Sequence, residues 1–148
     1  MRKRFTPPDL ILVFILLEII MHFVFPIMQI INTPYTYLGI LLIIIGQIPN
    51  FWIYFYFRKM KTTKEICQKP RKLITSGLFR ISRNPNYLGM ALALLGIAIL
   101  LGSLITFIFP IIFIILTDIF VIPREEMNLE KAFGKKYRTY KEKVRRWI

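Results

Sequence analysis

Four long apolar runs dominate the pattern of hydrophobic and polar positions. They cover residues 10–31, 37–57, 87–101 and 104–122, and polar or charged segments separate them. At about 1.5 Å per residue, a helix of about 22 residues spans roughly 33 Å, the hydrocarbon thickness of a bilayer. The Gly102-Ser103 link is short enough for only a tight helical hairpin. The pattern predicts an all-α integral membrane protein with four transmembrane helices, the last two forming a C-terminal hairpin.

The basic residues predict how these helices are oriented. The chain has 21 Lys and Arg against 8 Asp and Glu. Three basic residues precede the first run, nine lie within 58–83 and nine within 124–146, whereas 32–36 and 102–103 contain none. Because cytoplasmic loops are enriched in Lys and Arg, both termini are predicted to be cytoplasmic. A cleaved signal peptide is disfavoured, since the first run is long and lacks a small-residue cleavage site.

The composition also narrows the class of partner. The basic residues flank the apolar runs, where anionic lipid headgroups account for them, and no nucleic-acid-binding motif is present. The bilayer is therefore the expected partner and nucleic acid is not; the oligomeric state stays open. With Cys67 as the single cysteine, neither a disulfide framework nor a cysteine metal site can form within the chain, and no metal site is predicted.

One membrane domain over residues 1–148 is expected. Residues 1–57 would provide two N-terminal transmembrane helices, and 58–148 a loop, the hairpin and a cytoplasmic amphipathic tail helix. In the tail, Gly134 is a plausible helix C-cap. Tyr137, Tyr140 and Trp147 recur at helical spacing among Lys and Arg, which favours anchoring on the headgroups.

Polar residues within the first two runs have two interpretations. Glu18 and His22 share a helix face near mid-bilayer, where ionisable groups are costly. They would either satisfy each other or form part of a substrate pocket or proton path. Gln47 and Asn50, on either side of Pro49, favour interhelical hydrogen bonds at a proline kink.

The third and fourth runs carry further signals. Gly89, Ala93 and Gly96 form a surface of small residues that permits close approach, either by the fourth helix or by a ligand. Asp118 lies about one turn from the cytoplasmic end of its run and is expected to reach the interface.

Candidate chemistry gathers where the hairpin begins and ends. Asn84 is a good N-cap and Pro85 suits the first helical position, directly after Arg83. Folding the hairpin would bring this helix start to the pair Glu125 and Glu126. A cation at a helix N-terminus suits a carboxylate, and the two glutamates suit cationic groups. The ordinary alternative for each residue is an interfacial Arg–Glu salt bridge.

S-adenosylmethionine has the groups that this arrangement would hold. Its carboxylate matches Arg83, its ammonium and sulfonium match the glutamates, and Phe79 and Tyr87 are candidates for an apolar wall against adenine. No glycine fingerprint of a soluble nucleotide-binding domain is present.

From about residue 61 to the C-terminus, the chain resembles the integral-membrane isoprenylcysteine carboxyl methyltransferase and phospholipid methyltransferase superfamily. The resemblance rests on Leu73-Ile74-Thr75-Ser76-Gly77, Arg83-Asn84-Pro85-Asn86-Tyr87-Leu88-Gly89, Glu125-Glu126, and Phe133-Gly134-x-x-Tyr137-x-x-Tyr140. It implies a membrane methyltransferase that uses S-adenosyl-L-methionine and releases S-adenosyl-L-homocysteine. The implied cofactor-binding residues are Lys64, Arg71, Lys72, Leu73, Ile74, Phe79, Asn84, Pro85, Asn86, Tyr87 and Glu125. Arg83 and Glu126 are the predicted catalytic residues.

Departures from the family pattern concern mainly the substrate. Asn84 stands where prenylcysteine enzymes have His, and Leu78-Phe79 replaces the common Pro-Tyr. Val121 stands where those enzymes carry an Arg for the substrate carboxylate, and Arg124 is displaced from it by almost one turn. Val121 and Arg124 are the predicted substrate-binding positions.

Three functions stay open at this point. The resemblance favours methyl transfer to a lipophilic acceptor at the cytoplasmic membrane face, most like isoprenylcysteine carboxyl methylation. The alternative is N-methylation of phospholipid ethanolamine, which would need a base to deprotonate the amine. A headgroup-binding membrane protein without enzymatic activity is the third.

Overall fold

The computed structural model describes residues 7–25, 28–59 and 73–148, and this part of the chain is all-helical, without a β-strand. The six α-helices are α1 (Pro7–Val24), α2 (Leu38–Lys59), α3 (Pro85–Leu101), α4 (Ile108–Leu116), α5 (Ile122–Phe133) and α6 (Lys135–Lys143). Short 3-10 turns cover Tyr35–Tyr37, Gly77–Arg80 and Leu104–Phe107, and Thr117–Val121 is π-helical.

Two of the described helical stretches are long and apolar enough to cross a membrane. They are Tyr35–Lys59 and Leu104–Phe133, and Pro85–Leu101 is a shorter apolar helix. Large apolar side chains on α2 and α4 point outward, as Ile44 (58% exposed) and Ile111 (56% exposed) illustrate. A water-soluble surface rarely exposes so much apolar area, whereas lipid requires it. These helices are those of an integral membrane protein.

The small-residue surface of α3 packs against α2, and not against the fourth helix or a ligand. A Cβ atom built on Gly46 would lie 2.7 Å from the carbonyl oxygen of Gly89 and 2.8 Å from the amide nitrogen of Ala93. Only glycine permits this approach of the two backbones. The Asn50 side chain donates within its own helix, to the carbonyl oxygen of Gly46 at 3.3 Å. This hydrogen bond replaces the interhelical one that the sequence predicted for Asn50.

The hairpin of α3 and α4 turns at Gly102, as its sequence indicated. Gly102 has φ +70°, a left-handed conformation that ends the helix, and its carbonyl oxygen accepts a 2.8 Å hydrogen bond from the amide of Ile30. The adjacent Ser103 Oγ lies 2.7 Å from Nδ1 of His22. His22 therefore contacts the hairpin turn and is not paired with Glu18, which is fully buried on α1.

The fourth apolar run and the first part of the predicted tail form one continuous helical stretch. Pro123 has no amide hydrogen, and in an α-helix its ring would crowd the carbonyl of Ile119. The π-helical segment over Thr117–Val121 ends two positions before this proline, includes Ile119 and widens the helix there. Glu125 and Glu126 are thus carried on a rod that runs from Leu104 to Phe133. Gly134 (φ +52°) ends α5, as predicted.

Candidate cofactor site at the basic end of the helices

The turn before α3 presents Arg83 and Asn84. Asn84 occupies the N-cap position and Pro85 the first turn, as predicted, but the Asn84 side chain does not cap the helix. Its Nδ2 atom donates instead to the carbonyl oxygen of Arg146, at 3.2 Å. The amide of Arg83 donates to the carbonyl oxygen of Arg145, at 3.0 Å. The C-terminal segment therefore fixes the turn from which Arg83 extends.

The Arg83 guanidinium is buried and only partly bonded. Its Nη2 atom lies 3.1 Å from Oε1 of Glu126, and the two side chains are 9% and 6% exposed. This contact is an ion pair without hydrogen-bond alignment, since Oε1 of Glu126 has no hydrogen-bond partner among the described residues. The Nε and Nη1 atoms of Arg83 are also buried and have none in this part of the chain. Because buried donors are nearly always satisfied, these two nitrogens can donate to an anionic or oxygen-rich ligand.

The two glutamates of α5 have different partners. Glu125 accepts a 2.7 Å hydrogen bond from the hydroxyl of Tyr87 on α3. Glu126 is 5% exposed, and its Oε2 atom lies 3.3 Å from Lys141 Nζ and 3.3 Å from Arg146 Nη2. Glu126 is thus surrounded by three cations, counting Arg83.

Aromatic residues form a second wall of the site, beside the charged groups of Arg83, Glu125 and Glu126. Phe57, near the end of α2, packs edge-to-face on Phe79 with ring centroids 6.3 Å apart. The Tyr140 hydroxyl of α6 donates to the carbonyl oxygen of Phe79, at 2.6 Å. Burial raises the pKa of Tyr140 to about 12, although the Arg83 guanidinium opposes the shift. Burial and the nearby charge of Glu126 also raise the pKa of Tyr137. Both phenols are therefore neutral at physiological pH.

The loop that carries Phe79 is held by α2. Gly77 has φ +62°, and the ring of Trp52 lies where a side chain would project. Trp52 stacks on Tyr56, with centroids 4.7 Å apart, and the Tyr56 hydroxyl lies 2.7 Å from Ser76 Oγ. The aromatic end of α2 thus holds the loop against the helices.

These groups line a cleft that is partly open to solvent, with about 540 Å³ of space between its walls when the open solvent is included. Its lining residues are Phe57, Leu73, Ile74, Phe79, Arg83, Asn84, Glu125, Glu126, Leu129, Tyr137 and Tyr140.

Of the site residues predicted from sequence, the structure describes twelve and brings seven of them to the cleft. The seven that line it are Leu73, Ile74, Phe79, Arg83, Asn84, Glu125 and Glu126. Tyr87 does not line the cleft itself but donates a hydrogen bond to Glu125, which does. Pro85 and Asn86 are buried in the first turn of α3. Val121 packs against the hydrophobic core and Arg124 is exposed, so neither predicted substrate position lines the described cleft. Lys64, Arg71 and Lys72 lie outside the described residues.

Several residues of the tail have a role that the sequence did not indicate. Tyr137 and Tyr140 are 1% and 9% exposed and line the cleft instead of anchoring the chain on headgroups. Trp147 packs against the core and donates from Nε1 to Asp118, at 2.9 Å. Asp118 is thus bound by the tail and does not simply reach the interface. The three-residue spacing of the tyrosines was the available signal, because it places both rings on one helix face.

Comparison with known proteins agrees with this architecture. The family model described as phospholipid methyltransferase matches residues 34–136. Over 62 residues the chain is 47% identical to an uncharacterized protein of Haemophilus influenzae (strain ATCC 51907 / DSM 11121 / KW20 / Rd), covering 42% of this chain and 98% of that protein.

The fold matches that of the eukaryotic intramembrane Ras methyltransferase ICMT, isoprenylcysteine carboxyl methyltransferase. The TM-score is 0.67 at 20% identity, over 99% of this chain and 54% of that one, so the chain spans about half the length of the structure it matches. The family model covers more than half of the sequence, including both the turn at Arg83 and the paired glutamates. The chain therefore belongs to the phospholipid methyltransferase family.

Proposed function

We propose that this chain is a multi-pass membrane enzyme that transfers a methyl group from S-adenosylmethionine to a lipophilic acceptor. In this proposal four helical spans cross the bilayer, and the distribution of Lys and Arg along the sequence supports a cytoplasmic location for both termini and the cleft. The observation that carries the proposal is Arg83, which lines the cleft and whose buried Nε and Nη1 atoms have no hydrogen-bond partner among the described residues.

The residues present suit the groups of the cofactor. When bound, S-adenosylmethionine supplies an electrophilic methyl group on its sulfonium. Arg83, with Asn84 at the start of α3, would hold the carboxylate of the cofactor. Glu125, oriented by Tyr87, would hold its ammonium. Phe57, Phe79 and the Leu73-Ile74 segment provide an apolar wall for adenine.

Glu126 has a positioning role in this proposal. Its carboxylate is engaged by Arg83, Lys141 and Arg146, which disfavours it as a general base. By pairing with Nη2 of Arg83, it leaves the other two guanidinium nitrogens free to donate to the cofactor. Lys64, Arg71 and Lys72 stay predicted contacts of the cofactor.

The acceptor is proposed to be a ready nucleophile. Both carboxylates of the cleft have partners, Glu125 in Tyr87 and Glu126 in its three cations. A carboxylate acceptor needs no base, whereas a protonated lipid amine must lose its proton first. This favours carboxyl methylation of the isoprenylcysteine type. N-methylation of phospholipid ethanolamine is the second candidate, and the family model supports it.

Calorimetry tests the cofactor site. We expect detergent-purified protein to bind S-adenosylhomocysteine saturably, Glu125→Gln to abolish measurable binding, and Glu130→Gln on the same helix to leave it unchanged. No binding to folded protein, or unchanged affinity in Glu125→Gln, would overturn the assignment. Transfer of a radiolabelled methyl group to farnesylcysteine, in parallel with phosphatidylethanolamine vesicles, then distinguishes the two acceptors by which product is labelled.

A further inference from the structure

The last residues of the chain bind three separate parts of the candidate site. The carbonyl oxygen of Arg146 accepts hydrogen bonds from Asn84 Nδ2 at 3.2 Å and from Ser82 Oγ at 3.3 Å. The preceding carbonyl, of Arg145, accepts the amide of Arg83 at 3.0 Å. The backbone of residues 145–146 thus holds the whole turn that carries the cleft arginine.

The Arg146 side chain joins two helical segments beside the same turn. Its Nη1 atom lies 3.1 Å from Oδ1 of Asp118, in the π-helical segment, and its Nη2 atom lies 3.3 Å from Oε2 of Glu126, in α5. The planar guanidinium can contact two carboxylates in fixed directions at once, which the single ammonium of lysine cannot do equally well. Trp147 donates to the same Oδ1 atom of Asp118, at 2.9 Å, and secures the segment.

Glu126 transmits this arrangement to the cleft. One of its oxygens faces Arg146 and Lys141, and the other faces Arg83 Nη2. The Glu126 carboxylate is therefore fixed from the tail side and in turn fixes the direction of the Arg83 guanidinium. We propose that Arg146 is a positioning residue for the cofactor site, acting on Arg83 through Glu126 and through its carbonyl oxygen, which binds the neighbouring Ser82 and Asn84. The part of this inference that concerns the cofactor rests on the proposed function.

The chain supplies a matched control for this residue. Arg145 is its direct neighbour, carries the same charge and has an exposed side chain. Arg145→Ala retains the backbone carbonyl that binds Arg83, so it removes one positive charge from the segment and little else. Any effect of Arg146→Ala beyond that of Arg145→Ala belongs to the contacts of the guanidinium.

The first measurement is S-adenosylhomocysteine affinity in a double-mutant cycle. We expect Arg146→Ala to raise Kd about tenfold or more, the size of one hydrogen bond to a charged group, and Arg145→Ala to leave it unchanged. In an Arg83→Ala background, Arg146→Ala should change Kd less than about twofold, because the guanidinium it positions is gone. Three outcomes would each overturn the proposal. Arg146→Ala could keep wild-type affinity, Arg145→Ala and Arg146→Ala could weaken binding equally, or the Kd increases of Arg83→Ala and Arg146→Ala could multiply in the double variant.

A second measurement needs no cofactor. Hydrogen exchange of the peptide that contains Arg83 should speed up in Arg146→Ala and not in Arg145→Ala, since the Arg83 amide is bonded to the tail. Unchanged exchange would overturn the structural half of the inference, even if wild-type protein binds no cofactor and the proposed function fails. If Arg146→Ala does not fold, Asp118→Asn, which weakens the same clamp, should give the same changes in affinity and exchange; wild-type behaviour in that variant contradicts the proposal.

Discussion

The buried ion pair of Arg83 and Glu126 gives a quantitative prediction about stability. The two side chains are 9% and 6% exposed and 3.1 Å apart. Glu126→Ala would leave the guanidinium buried without its anion, and removing one partner of a buried pair costs about 3–5 kcal/mol. Lys141 and Arg146, which are 42% and 31% exposed, keep part of their hydration and add less.

Glu130 is the matched control, because it pairs with an arginine at the surface. Arg138 Nε lies only 2.6 Å from Glu130 Oε1, but these side chains are 70% and 33% exposed. An exposed pair contributes about 0–1 kcal/mol, so Glu130→Ala should have a small effect although its contact is the shorter one. Both glutamates lie in α5, and alanine changes the helix propensity equally at the two positions.

Thermal unfolding of detergent-purified variants measures the difference. At about 2–4 °C per kcal/mol for a chain of this size, Glu126→Ala should lower the midpoint by roughly 6–20 °C and Glu130→Ala by less than about 4 °C. The double variant Arg83→Met/Glu126→Leu should recover much of the loss, since it leaves no buried charge in the pair. Equal shifts for the two glutamates, or no recovery in the double variant, would refute the argument from burial.

Three further predictions concern the walls of the cleft and the contact between α2 and α3. Gly46→Ala places a Cβ atom 2.7 Å from the Gly89 carbonyl oxygen, so unfolding in detergent should show a loss of about 1–3 kcal/mol; an unchanged midpoint contradicts the close helix contact. Phe57→Ala should weaken S-adenosylhomocysteine binding roughly 2- to 13-fold in calorimetry, the range of one aromatic pair, while Phe55→Ala, which is exposed, should not; equal effects would remove Phe57 from the site. Because burial raises the pKa of Tyr140 to about 12, its contribution to stability is complete below about pH 10 and is lost as the pH rises toward 12. In Tyr140→Phe, alkaline unfolding should lose that component and the ultraviolet titration should lack the phenol that ionises near pH 12; a Tyr140 that ionises near pH 10 contradicts its burial.

Much of the local structure follows from short-range features of the sequence. Asn84-Pro85 placed the start of α3 because proline fits a first helical turn, and Gly102 and Gly134 placed helix ends because glycine adopts positive φ without strain. Residue order also implied that Arg83 and the paired glutamates meet, since a helical hairpin brings its two ends together. The 3.1 Å contact of Arg83 with Glu126 agrees with that expectation.

The pattern of hydrophobic and polar residues did not predict the contacts between segments that are distant in the chain. The small-residue surface of α3 is the same whether α2 or α4 covers it, and only packing selects α2. Tyr137 and Tyr140 alternate with basic residues as they would in a helix lying on headgroups, yet the Tyr140 hydroxyl binds Phe79, 61 residues away.

The sequence by itself determined the helices, their apolar lengths, the charge asymmetry and seven of the residues that line the candidate site, because periodicity, capping and charge are properties of neighbouring residues. The tertiary structure alone decided which helices touch, that Val121 packs against the core, and that Arg146 pairs with both Asp118 and Glu126 beside the site. Those outcomes depend on shape and burial summed over segments far apart in the chain, which the order of the residues does not display.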